Sequence, residues 1–98
     1  EVTGHACEVE VATAMELVPD VVKRDALAPG ELTELAREFR REAQKYNVSI
    51  PYRFDQITRN GALGDATKAT PEFGRELVES ALDNFVRFCE NLIAANPV

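Results

Sequence analysis

From Thr70 to Asn96 the chain reads as one long amphipathic helix, and no other stretch constrains the fold as much. Thr70 and Pro71 form its start. A threonine hydroxyl can accept from the free amides of the first turn, and proline suits the first helical position because its missing N–H has no intrahelical partner there. Leu77, Val78, Ala81, Leu82, Phe85, Phe88, Cys89 and Leu92 recur at helical spacing on one face, and Asn96-Pro97 ends the run. A helix this long and this apolar needs a matching surface. The 98 residues allow one domain at most, and a chain of that size buries about 60–70% of its unfolded surface. The helix is therefore expected to pack one side against something larger than the rest of this chain supplies.

Two further helices are predicted upstream. From Glu8 to Val18 nearly every position is apolar or small, and Pro19 stops the segment, which fits a buried helix better than a strand. Glu8 and Glu10 then fall in its first turn, where the helix dipole stabilises carboxylates by about 0.3–1 kcal/mol each. After Pro29-Gly30, the residues Leu32, Leu35, Ala36, Phe39, Ala43 and Tyr46 trace one stripe of a helix with Asn47 as its C-terminal cap. Between Ile50 and Ile57, Ile50, Tyr52 and Phe54 alternate with Pro51, Arg53 and Asp55, so this segment reads as a short strand or extended stretch. Asn60-Gly61 and Gly64-Asp65 mark a turn-rich loop between Arg59 and Thr70.

Composition excludes several classes. Hydrophobic residues at 45% and charged residues at 29% are those of a globular protein rather than a disordered or fibrous one. A net charge of −6 argues against nucleic acid as a partner, because phosphate neutralisation needs clustered cations. The one dense basic stretch, Arg37 to Lys45, is interleaved with Glu38 and Glu42 and reads as a solvated helix face. Cys7 and Cys89 make no disulfide framework and lack zinc-finger spacing, and Cys89 falls in the apolar stripe. No apolar run reaches the roughly 18 residues of a membrane span, and no signal segment opens the chain. A cytoplasmic location without membrane contact is the resulting expectation. The chain begins at Glu1 without methionine, which reads as an internal start.

The chemistry-bearing feature is the run Gly4-His5-Ala6-Cys7-Glu8-Val9-Glu10, which holds the only histidine. His5 and Glu8, three apart, could share a helix face and serve one metal ion. Glu10 lies about 200° around the helix from Glu8, so the two carboxylates should not bind the same ion. One would ligate while the other supports packing or a hydrogen bond. The same residues also make an ordinary capped helix start, and both readings stand on the residues alone. Cys7, two positions from His5, points elsewhere on a helix and makes a poor dyad partner. One histidine and two glutamates are too few to hold a metal, so any such site must be completed from elsewhere.

These residues carry a resemblance. Gly4 to Glu10, followed by an apolar helix ending at Leu17-Val18-Pro19-Asp20, resembles the His-Ala-Gly-Glu-x-Glu-Thr signature of the creatininase family of metal-dependent amidohydrolases. Downstream, Asn60-Gly61-Ala62-Leu63-Gly64-Asp65-Ala66-Thr67-Lys68-Ala69-Thr70 resembles that family's Gly-x-x-Gly-Asp-Pro-x-x-Ala-Thr segment. Two motifs in the right order, each followed by the expected helix, are far more specific than either alone. The resemblance covers nearly all of residues 1–98 but only the C-terminal portion of a single catalytic domain. It implies an α/β fold, namely part of a three-layer α/β/α sandwich, with this piece itself mostly helical.

The resemblance further implies two divalent metal ions, zinc, manganese or iron, held mostly by residues outside this chain, because the Glu-x-His and Asn-Gly-His motifs are missing here. The N-terminal portion of the same enzyme, as a separate chain, would supply them. It also implies a homo-oligomer, hexameric in the family, and a small-molecule substrate: an amide, cyclic amide or related carbonyl compound attacked by metal-activated water. By position, Glu8 matches a metal ligand, His5 a catalytic proton carrier, and Glu10 a supporting group that hydrogen-bonds beside the metal. This chain alone would be inactive. Cys7 stands where glycine is usual, Val11 for threonine and Ala66 for proline, so the pocket is expected to differ. The helix between Gly30 and Tyr46 looks like an insertion that forms a subunit contact or covers the pocket. The competing expectation is a non-catalytic helical interaction module in which the acidic residues serve only as caps.

Overall fold

Caps and prolines set the helix boundaries, although the second helix begins at Glu34 and leaves Leu32, expected in its stripe, in a bridge to Thr58. The computed structural model describes residues 4–96, with α1 at Glu8–Leu17, α2 at Glu34–Tyr46, α3 at Phe54–Ile57 and α4 at Pro71–Ala95, joined by 3-10 turns at Pro19–Val21, Arg24–Ala26 and Ala66–Lys68. Thr70 Oγ1 accepts from the Phe73 amide at 3.1 Å, and Thr33 Oγ1 does the same for the Ala36 amide at 3.2 Å. Asn47 and Asn96 close α2 and α4 in the left-handed region, with φ of 52° and 46°, a conformation asparagine tolerates better than most residues. Pro97 lies outside the described residues.

The segment from Ile50 to Ile57 departs from expectation. It is irregular to Arg53 and then forms the single turn α3. The Arg53 amide donates to Gln56 Oε1 at 3.2 Å and the Arg53 guanidinium pairs with Asp55 at 2.8 Å. Such local bonds supply the backbone with partners that a strand would need from a neighbour, and among the described residues no neighbouring strand exists. β pairing there is confined to three isolated antiparallel bridges, His5 with Leu63, Pro29 with Asp65, and Leu32 with Thr58. The described residues are thus mostly helical, and the sheet of a sandwich is not among them.

Helix α1 packs on the first half of α4 at near-backbone distance. A Cβ on Gly74 would sit 1.9 Å from the Ala12 carbonyl oxygen, so only glycine permits this crossing. Ala12 and Met15 are buried beneath it. Beyond that crossing α4 outruns its partner, since 25 residues span about 37 Å and ten span about 15 Å at 1.5 Å per residue. Leu82, Phe85, Val86, Phe88, Leu92 and Ile93 all stay exposed, Ile93 by 76%. Apart from Met15, the buried residues are small: Cys7, Ala12, Ala36, Thr58, Ala62, Ala66 and Gly74. The radius of gyration, 17.4 Å, exceeds the roughly 13 Å of a compact chain of about 100 residues. Among the described residues, nothing covers the second half of α4.

A junction of loops ties the two motif segments together. The His5 amide donates to the Leu63 carbonyl at 3.3 Å and the Leu63 amide to that of His5 at 2.7 Å. The Gly30 amide donates to the Gly64 carbonyl at 2.7 Å, and a Cβ on Gly30 would lie 2.4 Å from the Ala62 carbonyl oxygen. Asn60 is the hub of this junction. Its Oδ1 accepts from the Glu31 and Ala62 amides at 3.0 and 3.2 Å, while its Nδ2 donates to the Pro29 carbonyl at 2.9 Å.

Candidate active site

The chain enters α1 through a backbone kink that its own glutamate holds. Ala6 takes a positive φ of 47°, a conformation costly for a residue with a Cβ, and its amide donates to Glu10 Oε2 at 2.6 Å. A charged acceptor at this distance is among the stronger hydrogen bonds a backbone amide makes. The same oxygen lies 3.9 Å from His5 Nδ1, with both side chains 54% exposed. The His5 ring tilts against Phe54 at 4.7 Å between centroids.

This geometry corrects one expectation. His5 precedes the helix and pairs with Leu63, so it does not share a helix face with Glu8. Its carboxylate neighbour is Glu10. Glu8 instead reaches across the junction, where its Oε2 accepts from the Asp65 amide at 3.3 Å, joining positions 57 apart in sequence. The other oxygen of Glu8 has no hydrogen-bond partner among the described residues.

Cys7, in the family-glycine position, is buried with ordinary extended dihedrals, φ −90° and ψ −177°. The positive φ belongs to Ala6, so this backbone accepts a side chain at position 7 without strain. Burial pushes the Cys7 thiol up, but the backbone groups of Glu10, Gly4 and Val9 outweigh it and hold the pKa below the ordinary thiol value. Free amides at a helix start act on a thiolate in this way.

Asp65 caps the turn at Ala66–Lys68 by accepting from the Thr67 amide at 3.0 Å and from the Thr67 hydroxyl. The Thr67 hydroxyl above all, then its amide and the Lys68 charge, hold the Asp65 carboxyl below its usual range. The Asp65 carboxylate therefore serves the loop, and its amide serves Glu8.

No group of three or more histidine, cysteine, aspartate or glutamate side chains converges among the described residues, whereas a catalytic zinc ion takes three protein ligands. Imidazole and carboxylate are nonetheless suitable donors for zinc, manganese or iron. The half-exposed His5 and the unpaired Glu8 oxygen fit such an ion as contributors, not as its whole ligand set.

Comparison with known proteins agrees with the two motifs. The profile of the creatininase family, described as creatinine amidohydrolase, matches residues 1–89. The chain belongs to the creatininase family. The creatininase fold is also found in a solved structure from Bacteroides fragilis NCTC 9343, named for creatinine amidohydrolase, at 26% identity and a TM-score of 0.67. The match covers 87% of this chain and 34% of that one. This creatininase-family chain thus spans about a third of the length of that relative. No curated protein matches it.

Some site residues escape a reading of sequence. Phe54, which flanks His5, sits in the segment that alternation assigns to a strand. Asn60 shows only as half of an Asn-Gly turn signal, and nothing in that dipeptide tells that its side chain binds three backbone groups across the junction. Among the described residues no helix is long and apolar enough to cross a membrane.

Proposed function

We propose that this chain supplies one wall of a dinuclear-metal hydrolase site acting on an amide, cyclic amide or related carbonyl compound. The observation that carries the reading is the contact of Glu8 with the Asp65 amide beside the His5–Leu63 pair, which brings both family motifs to one place. His5 is the proton carrier, because imidazole is the side chain whose ordinary titration lies nearest neutrality and its ring is half exposed beside the junction. Glu8 is fixed at one oxygen by Asp65 and offers the other as a metal ligand. Glu10 is a positioning residue: by accepting from the Ala6 amide it fixes the kink from which His5 projects.

The divalent ions, held mostly by the remainder of the family domain, would polarise the carbonyl and lower the pKa of water towards neutral. That remainder, as a separate chain, and homo-oligomeric assembly are part of the proposal, as is a cytoplasmic setting. The second reading, a non-catalytic helical module, draws on the bare half of α4 and on the incomplete ligand set.

Amide hydrolysis by the complete assembly separates the two. Assayed on a panel of linear and cyclic amides that includes creatinine, His5→Gln should lower kcat by about 10²–10⁴, the usual worth of a general acid–base group, with bound metal unchanged. Glu8→Gln should lower the metal content. Wild-type turnover in His5→Gln together with wild-type metal content in Glu8→Gln would leave only the interaction module.

A further inference from the structure

Between α2 and the segment 48–57 lies a cavity of about 240 Å³. Leu32, Phe39, Ile50, Ile57 and Leu63 are among the residues that line it. Three polar residues, Arg40, Ser49 and Tyr52, interrupt that apolar surface. The Tyr52 hydroxyl oxygen is buried without a hydrogen-bond partner, and the half-buried Arg40 also has none among the described residues. Buried polar atoms are almost always satisfied, and an orphan one calls for an explanation. The buried Tyr52 hydroxyl lacks a partner among the described residues, and because Arg40 lines the same space, a neutral or anionic oxygen seated there would find a donor in each.

The cavity borders the proposed catalytic group. His5 and Leu63 exchange both backbone hydrogen bonds. Residues so opposed in an antiparallel pair project to the same side, with Cβ atoms about 4.5–5.5 Å apart. Leu63 is a wall of the cavity, so His5 stands one side chain from its edge, with Phe54 on its ring. Size sets the class of occupant: a dry apolar cavity of about 150 Å³ takes benzene, so this one seats a ring-sized or branched aliphatic group together with its polar attachment.

We propose that this cavity is the substrate side-chain pocket, so that the preferred substrate is an amide bearing a ring-sized apolar substituent with an oxygen acceptor for Tyr52 and Arg40. The inference rests on His5 as the reacting group for the substrate's place, but the pocket itself is read by binding, not turnover. The probe is phenylacetate, with toluene and acetate as its two halves, followed by ligand-observed NMR and calorimetry on the complete protein. Phenylacetate should bind, and acetate should not. Tyr52→Phe and Arg40→Gln should each weaken phenylacetate at least tenfold, Ala43→Phe on the cavity wall should abolish binding, and Tyr52→Phe should melt no lower than wild type because its hydroxyl has no partner to lose.

Absent phenylacetate binding, equal affinity in Tyr52→Phe and Arg40→Gln, or a lower melting temperature for Tyr52→Phe would each overturn the pocket. Binding that follows these expectations while His5→Gln hydrolyses amides normally would leave the pocket standing and remove the catalytic reading. Loss of hydrolysis in His5→Gln without phenylacetate binding would do the reverse.

Discussion

The two halves of α4 carry the same apolar stripe and meet different fates. Around Gly74 the helix lies so close to α1 that a single added carbon would strike the Ala12 carbonyl. From Leu82 onward the stripe continues with larger side chains that the described residues leave largely uncovered, so that Phe85 is 62% exposed. Helical periodicity is identical in both halves. What differs is the reach of the partner, and α1 ends at Leu17. A row of exposed aromatic and aliphatic residues on one helix face marks a surface made for contact. The covering surface should be broad, because Leu82, Phe85, Val86, Phe88 and Ile93 spread wider than the narrow seam of a two-helix coil.

Substitutions in each half test that contrast. The largest loss should come at Gly74→Ala. Alanine is intrinsically better in a helix by about 1 kcal/mol, yet with backbone 1.9 Å from the new Cβ the net cost should reach about 3 kcal/mol or more, read by urea denaturation of the complete protein. Next comes Phe85→Ala. If the remainder of the family domain covers this half, the loss should be about 2–3 kcal/mol, approaching that of a core phenylalanine; a change within about 0.5 kcal/mol would mean that the face stays bare.

Asp65→Asn, in the loop feeding α4, should have the smallest effect and should depend on pH. The carboxyl is held below its unfolded value by Thr67, so its contribution to stability is present above about pH 3.9, the ordinary aspartate value. It is lost as pH falls through the lower folded value. The gap in urea midpoint between wild type and Asp65→Asn should therefore be open at pH 7 and close in strong acid. A gap that widened on acidification would reverse the sign assigned here.

Several helix starts and stops were legible because they depend on neighbours in sequence: Thr70, Pro71, Asn47 and Asn96 act within a turn of where they stand. The family, too, was legible from Gly4–Glu10 and Asn60–Thr70. The strand read into 50–57 failed because alternation alone cannot supply a pairing partner, and Arg53, Asp55 and Gln56 satisfied the backbone locally. The shared helix face of His5 and Glu8 failed for a similar reason. Helical spacing does not govern His5, which the kink at Ala6 places before the helix.

The sequence by itself determined the first, second and last helices, the caps at Asn47, Thr70 and Asn96, and the family, since each follows from residue type and local spacing. Only the tertiary structure decided that Glu8 spans the junction to Asp65, that Glu10 rather than Glu8 attends His5, and that Tyr52 and Arg40 face one cavity. Those are contacts between residues distant along the chain or beyond a bend in it, and their geometry comes from loop closure, not from periodicity.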